Sequence, residues 1–173
     1  MTDALQKVFL DYSAAELRQL AGRIKTCLGK LTEEQVWARG SDNENAIGNL
    51  VLHLCGNVRQ WIVSGVGGQK DLRDRPSEFA ARGGVTLPEL AERLHGVVEE
   101  AAAVLGSVSA ARLAERIEIQ KYEVTVLEAI YHVVEHFSGH TGQIMFATKM
   151  MTGTDLGFYR HLNAAAAHGN KTP

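Results

Sequence analysis

The feature that most constrains this chain is the recurrence of apolar residues at helical intervals over long stretches almost free of proline. Leu5, Val8, Phe9, Tyr12, Leu17, Leu20 and Ile24 return every three to five positions between Asp3 and Cys27, with polar residues between them. That spacing predicts an amphipathic helix. Ile47, Leu50, Val51, Leu54, Val58, Trp61 and Ile62 predict a second, ending in the glycine-rich run Gly65 to Gly68. A third follows Thr86-Leu87-Pro88-Glu89, where Thr86 is placed to cap and Glu89 to return the bond, and runs to about Leu105. The fourth starts near Thr125, carries Ile130, Val133, Val134, Phe137, Ile144 and Met145, and stops before Gly153. Of three prolines, Pro88 falls at a helix start and Pro173 at the last position.

Between the helices the signals are weaker. Thr32 and Gln35 predict a short capped turn after Gly29, followed by a polar loop from Ala38 to Asn45. The stretch from Gln69 to Gly84 reads as a long charged connection with a helical turn around Ser77 to Arg82. Arg73, Arg75 and Glu78 are expected there in solvent, with a lesser case for binding an anion or a neighbouring subunit. Arg112 to Val126 is mixed: Arg116 to Gln120 alternates with a period of two and Tyr122 to Val126 favours strand, so a short extended excursion is expected, not a sheet. One more short helix is expected around Phe158 to Ala167. With no internal repeat, the chain reads as an all-α, antiparallel helical bundle in a single domain over residues 1–173, with a core of about 5–152 and a C-terminal tail 153–173.

Charge and cysteine content narrow the function classes. Lys plus Arg is 18 and Asp plus Glu 20, a formal charge of −2 with no long run of one sign. Nothing there draws the chain to nucleic acid or an anionic membrane. No segment approaches the roughly 20 apolar residues of a bilayer span, and the N-terminus carries no basic region leading into an apolar one. Cys27 and Cys55 are the two cysteines, each inside an apolar helical pattern, so neither a disulfide framework nor a thiolate metal cluster is expected; a cytoplasmic location fits.

The chemistry lies in the histidines. His132, His136 and His140 follow one another at intervals of four on the fourth helix. Neighbours four apart have Cβ atoms about 5–6 Å apart, close enough for two imidazoles to share an ion. His132 and His140 stand roughly 12 Å apart along the axis, so all three cannot meet one ion. The pair His136 and His140 lies on the flank of the apolar arc beside the small residues Ala129, Gly139 and Ala147, while His132 turns further to solvent. His53, on the second helix near Asn49, Asn57 and Gln60, is the best third ligand. Against this stands the plainer reading of an i, i+4 pair as a solvated face, with His53 an ordinary helix residue. His95 and His168 are expected at the surface, Cys55 as a buried apolar residue, and Trp61, Phe137 and Met145 in the core.

The helix order, the histidine in Leu50-Val51-Leu52-His53-Leu54 and the run His136-Phe137-Ser138-Gly139-His140-Thr141-Gly142-Gln143-Ile144 resemble the DinB/YfiT-like superfamily of bacterial metal-binding proteins over roughly residues 5–152. Trp61 to Gly65, Arg73-Asp74-Arg75 and Glu78-Phe79 also look like one uncharacterised DinB-like branch. The resemblance implies a four-helix bundle of up-down-down-up topology, a homodimer, and a nickel or zinc ion on His53, His136 and His140. It also implies thiol chemistry, in which the metal activates bacillithiol, mycothiol or glutathione for transfer to an electrophilic small-molecule substrate. Three neutral imidazoles leave an open coordination position, the pattern of a catalytic site. Gln143, two turns from His136, is a candidate to orient a ligand from outside the metal's own shell, and His132 a candidate acid or base at the rim. Two other classes stay open. One is hydrolysis by a metal-bound water, for which no glutamate is expected on the His136 flank, Glu128 and Glu135 facing elsewhere. The other is a non-catalytic, stress-associated metal-binding protein.

Overall fold

The structure is a computed structural model and describes residues 3–160 and 162. Six α-helices dominate it: α1 (Asp3–Leu28), α2 (Glu33–Trp37), α3 (Ile47–Val58), α4 (Arg75–Ala80), α5 (Leu87–Ser107) and α6 (Val126–Thr152). A 3-10 turn at Arg112–Ala114 and two short strands, β1 (Arg116–Ile119) and β2 (Tyr122–Thr125), lie between α5 and α6.

The long helices meet in a closed ring of contacts: α1 packs on α5 and α6, and α3 packs on the same two. Each contributes its apolar stripe to one core. Leu17 and Ile24 of α1, Leu54 of α3, Leu90, Leu94 and Leu105 of α5, and Ile130, Phe137 and Ile144 of α6 are all below 2 % exposed. Burial of such side chains stabilises by about 1.5–3 kcal/mol each before chain entropy is counted. The ring puts α3 directly against α6, the two helices that carry the histidine pattern.

Capping fixes where the helices begin. Thr32 with Gln35 and Thr86 with Glu89 form the expected capping boxes, and Thr125 with Glu128 forms a third. In the last, the Thr125 N–H donates to Glu128 Oε2 at 2.7 Å while the Glu128 N–H donates to Thr125 Oγ1 at 3.1 Å. At its other end α6 stops at Gly153, whose φ of 63° suits glycine and whose N–H donates to the Lys149 carbonyl at 2.9 Å.

Three features depart from the sequence reading. The segment 116–125 is a true antiparallel hairpin, with Arg116 opposite Thr125 and Ile119 opposite Tyr122. Its two-residue turn, Gln120-Lys121, has φ of 53° and 67°, the primed-turn backbone that normally selects Asn-Gly. The usual turn signature is therefore missing, although Ile119 is buried and Ile117 packs on the core. The second long helix does not keep α geometry to its end: residues Arg59–Val66 wind as a π-helix, and the Gly67 N–H reaches back five residues to the Ile62 carbonyl at 2.8 Å. Gly65 in that stretch lies against Ile119, where a Cβ would overlap the side chain. Finally, the turn in the charged connection starts two residues earlier than expected, because Asp74 caps it and Pro76 suits its first turn. Of the tail helix expected at Phe158 to Ala167, residues 161 and 163–167 lie outside the described residues, as does His168.

Candidate metal centre

Three imidazoles converge where α3 meets α6. His53 Nε2 lies 3.1 Å from His136 Nε2, and His140 Nε2 lies 3.2 Å from the same atom. Bonds of about 2.0–2.1 Å to one tetrahedral ion put ligand nitrogens about 3.3–3.4 Å apart, so these spacings are near those an ion imposes. One donor atom from each residue lies within 4.8 Å of the others, a set that could hold a metal ion.

The far nitrogens of two rings are held by partners. His140 Nδ1 sits 2.8 Å from Gln143 Oε1, an acceptor, so this nitrogen carries the proton. His53 Nδ1 sits 3.0 Å from Glu78 Oε2 and 3.0 Å from Arg73 Nη2, so the far side of this ring lies against both members of an ion pair. His136 Nδ1 is buried without a protein partner. Burial, then the neighbouring His140 and His53, push the His136 pKa down to about 3, and burial lowers those of His140 and His132 as well. His136 is thus neutral and a competent donor across ordinary pH.

Glu78 corrects the expectation that Arg73, Arg75 and Glu78 sit in solvent. The Arg73 and Glu78 side chains are 3 % and 9 % exposed. Arg73 Nε donates to Glu78 Oε1 at 2.7 Å and Arg73 Nη2 to Oε2 at 2.8 Å, a two-point pair behind His53. Burial works against the Glu78 charge, but the hydrogen bonds from Arg73 and His53 outweigh it and hold the carboxyl below its usual range. Arg73 also donates to Gln60 Oε1 at 2.9 Å, and Gln60 Nε2 donates to Asp71 at 2.7 Å. The backbone is pinned too: Asn49 Nδ2, fully buried on α3, donates to the Glu78 carbonyl at 2.8 Å and the Ala81 carbonyl at 2.9 Å. Only Arg75 of the three is exposed, its guanidinium 4.9 Å from the centroid of the Phe79 ring.

One signal for this arrangement was available. Gly56 lies three residues after His53 in an otherwise well-formed helix, where glycine is unfavourable. A Cβ there would overlap Glu78 Oε1 and stand 2.8 Å from Arg73 Nε. The glycine leaves room for the clamp.

In front of the cluster opens a cavity of about 450 Å³, walled by α3, the charged connection, the hairpin and α6. His132 is half-buried at its side, tilted against Trp61 with centroids 4.3 Å apart and 5.5 Å from the His136 ring. Glu128 also lines it, contrary to the orientation expected, because the hairpin folds over the first turn of α6. Cys55 lies outside the cluster, and burial pushes its thiol up to about 12. His95 is exposed, as expected.

A family model described as "Protein of unknown function (DUF1572)" matches residues 4–163. Among solved structures, a conserved protein from Enterococcus faecalis superposes with a TM-score of 0.72 at 14% identity, covering 83% of this chain and 97% of its own. A DinB-like protein, YjoA, from Bacillus subtilis superposes with a TM-score of 0.65 at 17% identity, covering 86% of this chain and 97% of its own. At these identities the likeness is one of fold. No curated protein matches the chain.

Proposed function

The chain belongs to the DUF1572 family, within the DinB-like superfamily, and on that footing we propose that it binds a divalent metal ion and activates a low-molecular-weight thiol for transfer to an electrophile. The observation that carries this reading is the convergence of three Nε2 atoms beside an open cavity. In it, His53, His136 and His140 are the ligands of nickel or zinc. Bound there, such an ion would supply the Lewis acidity that lowers the pKa of a thiol.

The remaining steps belong to the chain. Gln143 fixes the tautomer of His140, the Glu78–Arg73 pair holds the far side of the His53 ring, and Arg73 keeps Glu78 charged and oriented. The cavity holds the acceptor beside the cluster, and His132, at its rim, takes up the thiol proton. The thiolate sulfur then forms a C–S bond as a halide leaves or an epoxide C–O bond opens. The thiol comes from outside, because Cys27 is buried and the Cys55 thiol stays protonated; bacillithiol, mycothiol and glutathione are the class in view. Hydrolysis fits less well. Glu128 Oε2 is taken by the Thr125 N–H and hydroxyl at 2.7 and 2.8 Å, and both Glu78 oxygens are taken by Arg73 and His53, so of these four carboxylate oxygens only Glu128 Oε1 is left to serve as a base.

At the level of architecture we read the ring of long helices as an up-down-down-up four-helix bundle in one domain, working as a cytoplasmic homodimer. Exposed apolar side chains on α1 (Val8, Tyr12) and α6 (Phe146, Met150) suit pairing. No helix among the described residues is long and apolar enough to cross a membrane.

Titrating metal-free protein with nickel and zinc tests the site. Binding is expected in the native chain and lost in His53→Ala and His136→Ala; unchanged affinity in both variants overturns it. For the reaction, loss of free thiol is followed against a chlorinated or epoxide acceptor, with ester hydrolysis as control. Hydrolysis without thiol consumption reverses the assignment, and metal binding with neither turnover leaves a non-catalytic metal-binding protein.

A further inference from the structure

Two of the three converging rings have their far nitrogen held: His140 Nδ1 by Gln143 Oε1 at 2.8 Å, and His53 Nδ1 by the Glu78–Arg73 pair at 3.0 Å. His136, whose Nε2 is close to both of the others, is the exception, since its Nδ1 is buried with no partner. Coordination through Nε2 leaves the proton on Nδ1, and a ligating imidazole almost always donates that proton to an oxygen. A buried N–H with no acceptor costs free energy and leaves the ring free to turn.

The packing of α3 on α6 brings one acceptor to that level. His53, Asn57 and Trp61 follow one another at intervals of four, and so do His140, His136 and His132. The two rows run antiparallel: His53 meets His136 and His140 with ring centroids 5.0 and 5.2 Å away, and Trp61 meets His132 at 4.3 Å. Asn57 is the rung between His53 and Trp61, so it stands level with the stretch from His136 to His132. It is 4 % exposed, and its Oδ1 is buried and unbonded. The other buried side-chain atoms left unpaired among the described residues, Arg39 Nε and Trp61 Nε1, can only donate. Asn57 Oδ1 is thus the one acceptor in the set. Buried polar atoms in native proteins are nearly always paired, and here an unpaired nitrogen and an unpaired oxygen stand on facing helices. The Asn χ2 torsion is soft, so the amide can turn to meet the ring. Its oxygen has two lone pairs, and a bond from Trp61 Nε1–H would leave one for His136.

We infer that Asn57 is the positioning residue for His136, its Oδ1 accepting the Nδ1–H that coordination through Nε2 requires, as Gln143 Oε1 does for His140. This deepens the metal-centre reading and rests on it.

Zinc titration by calorimetry, melting curves without metal and a crystal structure of the zinc-loaded chain test the role together. In that crystal Asn57 Oδ1 is expected within about 3.2 Å of His136 Nδ1. Asn57→Leu, close in shape, is expected to lower zinc affinity about 10–100-fold. Its melting temperature without metal is expected at or above the native value, because an unpaired buried oxygen has been removed. Asn57→Asp keeps an acceptor and is expected to hold native zinc affinity or exceed it. A packing role gives the reverse split, a lower melting temperature without metal and unchanged zinc affinity, and that result overturns the assignment. So does a water or another residue on His136 Nδ1 in the zinc-loaded crystal, or an Asn57→Asp affinity as low as that of Asn57→Leu. Where Asn57→Leu does not fold, the crystal and Asn57→Asp decide. Native binding matched by Asn57→Leu strikes the Asn57 role alone, whereas no binding by the native chain strikes the metal centre and this role with it.

Discussion

Gly56 shows how one missing side chain positions a charged clamp two shells from the chemistry. Alanine there would place its Cβ against Glu78 Oε1 and 2.8 Å from Arg73 Nε, so the pair behind His53 has to move. Gly56→Ala is expected to destabilise by about 1–3 kcal/mol despite the better helix propensity, because overpacking outweighs it. Glu78→Gln separates charge from shape. It keeps an acceptor for His53 Nδ1 but removes the carboxylate, and its expected signature is nickel affinity reduced about 10–100-fold, read by calorimetric titration. Native-like affinity in Glu78→Gln would leave Glu78 a structural partner of Arg73 alone. At this scale the histidines and Gln143 were legible, and the Arg73–Glu78 clamp was not. His136 and His140 announce themselves by spacing and His53 by its place on a facing helix. Arg73 and Glu78 lie in a stretch whose composition is that of a solvated loop, and their burial is decided by Asn49, Gly56 and Gln60 on another element. Glycine three residues after a candidate ligand was the one local hint.

The elements were read well where local rules decide them and less well where tertiary contacts do. Capping boxes and apolar periodicity located the starts of all four long helices, and the ends of three, to within two or three residues; the second leaves α geometry at Val58. The hairpin escaped because Gln120-Lys121 adopts a positive-φ turn that its residue types do not favour, and Ile117 and Ile119 reward the pairing from within the core. Lys121, exposed at φ 67°, carries a left-handed cost that glycine would not. Lys121→Gly is therefore expected to stabilise by up to about 1 kcal/mol, seen as a higher urea midpoint at unchanged slope; a lower midpoint would mean that the lysine side chain holds the turn. The cap of α6 gives a pH prediction. The Thr125 N–H and then its hydroxyl hold the Glu128 carboxyl below its usual range. Between its folded value and the unfolded one of about 4.3, the unfolded chain binds more protons, so this contribution is full above that window and fades as pH falls through it. Glu128→Gln, which keeps a capping-box acceptor, is expected to flatten the acid limb of stability against pH; an identical limb would show that the cap's charge contributes nothing.

On the scale of the molecule the proposed ligands tie together helices far apart in sequence. His53 and His136 are 83 positions apart, and their meeting depends on the packing of α3 against α6 within the ring of long helices. An ion that needs both helices in register binds the folded chain and not the unfolded one, so its affinity becomes stability. At a free concentration one hundred times the dissociation constant, the gain is about 2.7 kcal/mol. For a chain of this size each kcal/mol raises the melting temperature by about 2–4 °C, so saturating nickel or zinc is expected to raise it by about 5–11 °C. His53→Ala removes the only ligand on α3 and should abolish the shift, whereas Gln143→Ala, which frees the His140 ring without removing a donor, should reduce it. His132→Ala, outside the converging set, should leave it intact. The ordering matters more than the size of the shift: a rise that survives His53→Ala would place the ion on α6 alone, and then nothing would couple the metal to the meeting of the two helices.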